Sequence, residues 1–177
     1  MFSIEYLILK EEIERVSNIT NIKEFDTELN TIEGQISLSF NDEIEGFVDK
    51  DIPYADELLF TWFKRLNKVL IYLQTNEFVA LSIPERDNVW FEFKRKENLL
   101  VINKVKSEQQ TSVYDFVTIT PIKNIGVLWQ EVIVMEEFYN KIINKTKKLL
   151  NDIKSYNAIL VNSLEYKELK EILEKAQ

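Results

Sequence analysis

The chain predicts an α+β domain: an antiparallel sheet of about five to seven strands packed with one central amphipathic helix and C-terminal helices. Three observations carry that expectation. An apolar stripe at three-and-four spacing runs through residues 54–75. Short apolar segments then follow between 78 and 120 with no helical stretch between them, which implies antiparallel pairing. A second helical periodicity spans 131–156. At 177 residues the chain suits a single domain, 1–177, and 45% hydrophobic residues with 12% aromatics are enough for a packed core.

Taken in order, residues 2–9 are dense in aliphatic and aromatic side chains and read as a first strand. Residues 17–30 are polar and read as a loop. Residues 31–40 alternate strictly, with Ile32, Gly34, Ile36, Leu38 and Phe40 on one face and Glu33, Gln35, Ser37 and Ser39 on the other. Gly46 marks a turn or bulge. The helix over 54–75 carries Ala55, Leu58, Leu59, Trp62, Leu66, Val69, Leu70 and Leu73 on its apolar face. Pro53 is tolerated at its first turn, and Asp56 and Glu57 complement the positive pole of its dipole. Phe60, Phe63 and Ile71 widen that face, so the helix is expected to be covered on more than one side.

Strands are expected at 78–83, 88–95, 99–105 and 113–120, with a turn at PERDN (84–88) and a polar loop at 107–112. The stretch 127–134 is compatible with a seventh strand or with the beginning of the 131–156 helix. Asn162 with Glu165 three residues on resembles a capping box and predicts a last helix over 163–175.

Composition excludes much chemistry. The chain has no histidine, no cysteine and three glycines (Gly34, Gly46, Gly126). It therefore lacks the commonest general base and metal ligand, thiolate nucleophiles, disulfides and thiolate zinc sites. No glycine falls in a phosphate-cradling pattern. No catalytic, cofactor-binding or metal-binding residue is assigned. The opening MFSIEYLILK carries Glu5 and no base before Lys10, so it does not read as a signal peptide. No run approaches the roughly 18 apolar residues of a membrane span. A cytoplasmic location is expected.

The net charge of −8 argues against direct nucleic-acid or membrane binding, which need a basic footprint. The charge is concentrated. Between 42 and 57 stand Asp42, Glu43, Glu45, Asp49, Asp51, Asp56 and Glu57 against the single base Lys50, a net of −6. Part of this window has the front half of an EF-hand pattern (Asn41, Glu43, Glu45, Gly46). Position twelve would be Ile52 where a bidentate glutamate is needed, so calcium is not assigned. Clustered carboxylates steer association with basic partners, and these seven residues form the candidate partner-binding surface. Trp90, among charges on the strand DNVWFEFKRK, is added as a candidate anchor, because tryptophan is enriched at binding hot spots. The alternative is that a second layer covers its face. Trp62 belongs to the helical stripe, and Trp129 is not placed.

The run DELLFTWFKRLNKVLIYL followed by the aromatic strand VWFEFKR, in an acidic single domain, resembles the small acidic immunity proteins of bacterial polymorphic toxin systems. The SUKH-type motifs are absent. The resemblance implies a cytoplasmic antitoxin that occludes the active site of a toxin, often a basic nuclease; no functional residue is transferred from it. The expected function is thus a non-catalytic protein-binding domain. Its rivals are a phage-type inhibitor mimicking nucleic acid, with carboxylates spaced like phosphates, and a carboxylate-dependent hydrolase with acids converging in a cleft. The oligomeric state is left open.

Overall fold

The alternation at 31–40 does produce a strand, and its partner is the N-terminus. In the computed structural model, which describes residues 1–54, 56–84, 86–108 and 116–177, β1 (Phe2–Leu7) pairs antiparallel with β2 (Glu33–Phe40) from Phe2↔Phe40 to Leu7↔Gln35. This register puts Phe2, Ile4, Ile36, Leu38 and Phe40 on one buried face. β3 (Glu43–Gly46) and β4 (Glu57–Leu58) both pair with the other edge of β2 and complete a four-stranded sheet. The second sheet has five strands in the order β8-β5-β6-β7-β9: β5 (Phe78–Ser82), β6 (Val89–Lys96), β7 (Leu99–Ser107), β8 (Val117–Thr118) and β9 (Asn124–Val134). Every pairing is antiparallel. The fold is α+β as expected, but built on two sheets where one was anticipated.

Among the described residues five helices flank these sheets: α1 (Lys10–Ser17), α2 (Ile22–Glu24, continued by a π-helical turn Phe25–Leu29), α3 (Leu59–Leu73), α4 (Met135–Tyr156) and α5 (Leu164–Ala176). The expected loop at 17–30 thus contains α2, which Asn21 caps by accepting from Lys23 N at 3.0 Å. The helix α1 has no counterpart among the elements expected from sequence. It is short, sends only Val16 fully into the core, and is held by Arg15 donating to Glu12 at 2.6 Å.

The central helix starts five residues later than its stripe suggests. Glu57 and Leu58 are not its first turn. They pair with Gly34 and Glu33 as β4, and Leu59 N donates to Ile32 O at 3.0 Å. The Glu57 carboxylate serves the Trp62 indole, which donates to it at 2.6 Å, so it satisfies a buried N–H as well as lying near the helix N-terminus. Pro53 lies in the irregular segment before β4, and Ala55 lies outside the described residues. Gly34 explains how the helix lands there: a Cβ at that position would stand 2.7 Å from Leu59 Cδ1 and 2.8 Å from Leu7 O. From this start α3 buries Leu59, Phe60, Trp62, Phe63, Leu66, Val69, Leu70 and Leu73 against α5, α4 and both sheets, so it is covered on more than one side. Asn67, fully buried, locks it to α4 by donating to Thr146 Oγ1 at 2.8 Å.

The ambiguous stretch 127–134 is strand. Residues 131–134, placed by periodicity at a helix start, instead pair with Leu99–Ile102 of β7, and α4 begins at Met135, whose N–H donates to Asn98 O. β-branched Val132, Ile133 and Val134 fit the pleat better than a helix. The last helix is capped by Ser163 and not by Asn162: Ser163 Oγ accepts from Tyr166 N at 3.3 Å, while Asn162 closes a short 3₁₀ turn, Ala158–Asn162. Residues 109–112 of the expected polar loop, 113–115 of the expected 113–120 strand and Glu85 of the 84–88 turn lie outside the described residues; β8 covers Val117–Thr118.

The two sheets are joined by an ion pair as well as by apolar packing. Glu45 of β3 is only 4% exposed; it pairs with Lys104 of β7, and Arg86 approaches its other oxygen at 3.3 Å.

Two tests follow from this packing. Leu66→Ala should destabilise the fold by about 2–5 kcal/mol in denaturant titration, the usual loss for a truncated core leucine. Lys104→Met should cost about 3 kcal/mol, because it strands a buried carboxylate with the half-exposed Arg86 as its remaining cation. Adding Glu45→Leu to Lys104→Met should recover much of that loss. Equal stabilities for the wild type and Lys104→Met would show that the pair contributes nothing.

Candidate functional site: an acidic and aromatic ledge

The acidic window folds into a hairpin and a loop on the outer side of the four-stranded sheet. The β2–β3 turn is tight because Asn41 adopts φ 53°, which asparagine tolerates. Its backbone N–H bonds Met1 O at 2.8 Å. At the end of β3 the chain turns on Gly46, φ 73°, where a Cβ would fall 2.2 Å from Ile36 O, so only glycine fits.

Residues 47–54 then run without regular structure and are held by one side chain. Gln35, 2% exposed, accepts from Asp49 N at 2.8 Å and donates to Ile52 O at 3.1 Å and Tyr54 O at 3.0 Å. One buried amide thus fixes three points of the loop backbone. Asp49 adds a local clasp by accepting from Asp51 N at 2.9 Å. The alternation that sends Gln35 to the polar face of β2 is correct; that face is roofed by the loop.

The seven acids divide into distinct groups. Asp42, Asp49, Asp51 and Asp56 are exposed, and Glu43 is half-buried. Glu45 faces inward beside Leu38 and is consumed by the ion pair to Lys104. Glu57 is half-buried and bound to Trp62. Glu45 therefore does not belong to the solvent face the sequence suggested, and Glu57 is committed to the helix start. The reason is the two-residue pleat: a strand pairing with Leu38 at Glu45 must turn that carboxylate toward the core.

Trp90 also lies inside. It is 2% exposed, on the face of the five-stranded sheet opposite Phe91, and packs with Ala80 and Val105 beside Phe78 and Ile122. The second layer over that face exists, so Trp90 is not a surface anchor. Trp129, unplaced from sequence, packs against Phe40 and Phe91 at centroid distances of 5.5 and 5.7 Å.

What sequence reasoning missed is apolar. Between the acids stand Ile44, 64% exposed, Tyr54, 62% exposed, and Phe47, whose ring meets Tyr54 edge-on at 6.1 Å. Phe47 and Tyr54 sit in the named acidic window, and their isolation among charges was the available signal. Such rings normally seek the core, and here the tether to Gln35 keeps the loop that carries them on the surface. Among the described residues no group of three or more carboxylates is placed to hold a metal ion, and no helix is long and apolar enough to cross a membrane.

Gln35→Ala should loosen this loop without unfolding the protein. Amide exchange at Asp49 and neighbouring residues should accelerate by at least about tenfold, equivalent to losing about 1.4 kcal/mol of local protection, while exchange in α3 stays protected. Unchanged exchange across 47–54 would show that the loop is held by something other than Gln35.

Comparison of the chain with protein-family models, with curated proteins and with solved structures gave no match.

Proposed function

We propose that the chain is a non-catalytic protein-binding domain, and most concretely a cytoplasmic immunity protein that neutralises a basic toxin or nuclease through the 42–56 ledge. The observation that carries this reading is a tethered loop on which exposed Asp49 and Asp51 stand with an exposed Phe47–Tyr54 pair, flanked in sequence by exposed Asp42 and Asp56. The aspartates supply a field that steers a basic partner and raises its association rate. The aromatics supply what charge alone does not, since rigid rings that desolvate on contact dominate the energy of interfaces and slow dissociation. An inhibitor that only imitated a phosphate chain would have little use for the rings, so their presence favours a protein surface as the target.

The charge division also supports the reading. Glu45 and Glu57 are held by the fold, but Asp42 and Asp56 have no ion pair among the described residues. Like-charged, solvated carboxylates without a cation beside them repel one another and gain the isolated domain little. A partner presenting Lys and Arg converts that repulsion to attraction.

The experiment uses the partner once it has been recovered by affinity capture and identified, followed by stopped-flow association at low and high salt. Asp42→Lys with Asp49→Lys should leave the melting temperature within a few degrees but slow association at low salt several-fold, with a shallower salt dependence. Tyr54→Ala should leave the association rate alone and accelerate dissociation. Wild-type association and salt dependence in the charge-reversed protein would reduce the ledge to solubilising surface and overturn the proposal.

A further inference from the structure

β9 is the edge of the five-stranded sheet, and it is dressed unlike an edge. Solvent-facing edge strands are normally short or studded with charge, because their free N–H and C=O groups invite another strand. β9 is eleven residues long and carries one charge, Glu131. Ile125, Val127, Leu128, Val132 and Val134 are each between 45% and 62% exposed. With Leu99 of β7, paired to Val134 on the same face, they form an apolar band on a protein of net charge −8. At the far end of the strand the band continues into a recess lined by Val134, Met135 and Tyr139.

The outer edge is partly occupied. Asn41 donates to Val132 O at 3.1 Å and to Glu131 at 2.5 Å, which closes the C-terminal part. Toward Asn124 the ladder with β7 is irregular at Lys104/Val105 and at Lys106/Ser107, and the edge there is bare among the described residues.

We infer that the open part of β9, residues 124–130, is a self-association edge, on which a second copy of the chain adds the same segment antiparallel and joins two five-stranded sheets into one of ten strands. Charge selects this occupant. The beginning of β9 lies beside Lys106, which pairs with Gly126, and follows Lys123; its end carries Glu131 and runs directly into Glu136 and Glu137 of α4. One end is basic and the other acidic. Glu108, bound to Lys123 at 2.7 Å on the surface, offsets part of the basic end. An antiparallel copy related by a two-fold axis near Val127 sets each basic end against the partner's acidic end, twice, and lays the apolar side chains of the two strands beside one another. A parallel copy would set like charge against like. An isologous contact of this kind closes at two subunits. Gly126 leaves open space beside Lys106, since a Cβ there would touch nothing within 4 Å, and this gives the lysine room to reach across the new strand pair.

The inference stands independently of the acidic ledge and is tested by sedimentation velocity on the full chain across a micromolar concentration series. The wild type should sediment as a dimer of twice the 21.0 kDa chain mass. Val127→Lys with Leu128→Lys should sediment as monomer with unchanged circular dichroism. A second pair of variants removes any dependence on that double substitution folding normally. Glu136→Lys with Glu137→Lys, net positive at both ends of the edge, and Lys106→Glu with Lys123→Glu, acidic at both ends, should each dimerise at least tenfold more weakly than wild type. Mixed together, the two should recover a heterodimer. A wild-type monomer throughout, a dimer that survives the two lysines, or charge variants that pair with themselves as tightly as wild type would each overturn the inference.

Discussion

Phe40 is the residue on which the two sheets meet. It ends β2, stacks against Phe2 of β1 at 5.2 Å, and touches Phe91 and Trp129 of the second sheet at 5.3 and 5.5 Å. Phe2 passes the contact to Phe138 of α4 at 4.8 Å, and Phe138 returns it to Phe93 at 5.3 Å. Every ring in this circuit but Trp129 is buried, and the geometries are tilted, as the ring quadrupoles favour. Two separate antiparallel sheets become one core because the last residue of a strand in the first sheet is an aromatic ring packed on two rings of the second. The Glu45–Lys104 pair adds a second link between them, a few residues from the same corner.

That corner organises the surfaces as well. The turn after Phe40 begins at Asn41, whose side chain reaches the edge of β9, and the strand after it ends at Gly46, where the acidic loop departs. The ledge proposed to meet a partner and the edge proposed to meet a second copy therefore diverge from one hairpin. Both display exposed apolar side chains, and both are held by buried or half-buried amides, Gln35 beneath the ledge and Asn41 against the edge. A polar side chain that spends its hydrogen bonds on irregular backbone makes a loop as well defined as a strand.

The same logic accounts for the fate of the acids. Seven carboxylates within sixteen residues look equivalent as a string of letters. In the fold, Glu45 holds two sheets together, Glu57 accepts the only N–H of the Trp62 side chain, and the four exposed aspartates remain for solvent or a partner. A carboxylate is worth far more where water is scarce and a cation faces it than where it is solvated, so its role follows from its neighbours.

The sequence by itself determined the α+β class, the core face of β2, the stripe of α3 through Leu59, Trp62, Leu66 and Leu70, the antiparallel strands β5, β6 and β7, and the α4 and α5 helices. These are legible because hydrophobic periodicity is a local property, written every two residues in a strand and every three or four in a helix. The candidate window 42–57 was legible for the same reason, since a run of charge needs no partner to be seen. Only the tertiary structure decided that there are two sheets, that Glu57 belongs to a two-residue strand, that 127–134 is an edge, and that Glu45 and Trp90 face inward while Phe47 and Tyr54 do not. Each of those outcomes depends on a residue distant in the chain: Gly34 for Glu57, Leu99 for Val134, Lys104 for Glu45, Val105 for Trp90 and Gln35 for Tyr54. Side-chain period tells which residues share a face. Which face meets the core, and which is left to bind, is set by pairings between segments that the local pattern does not encode.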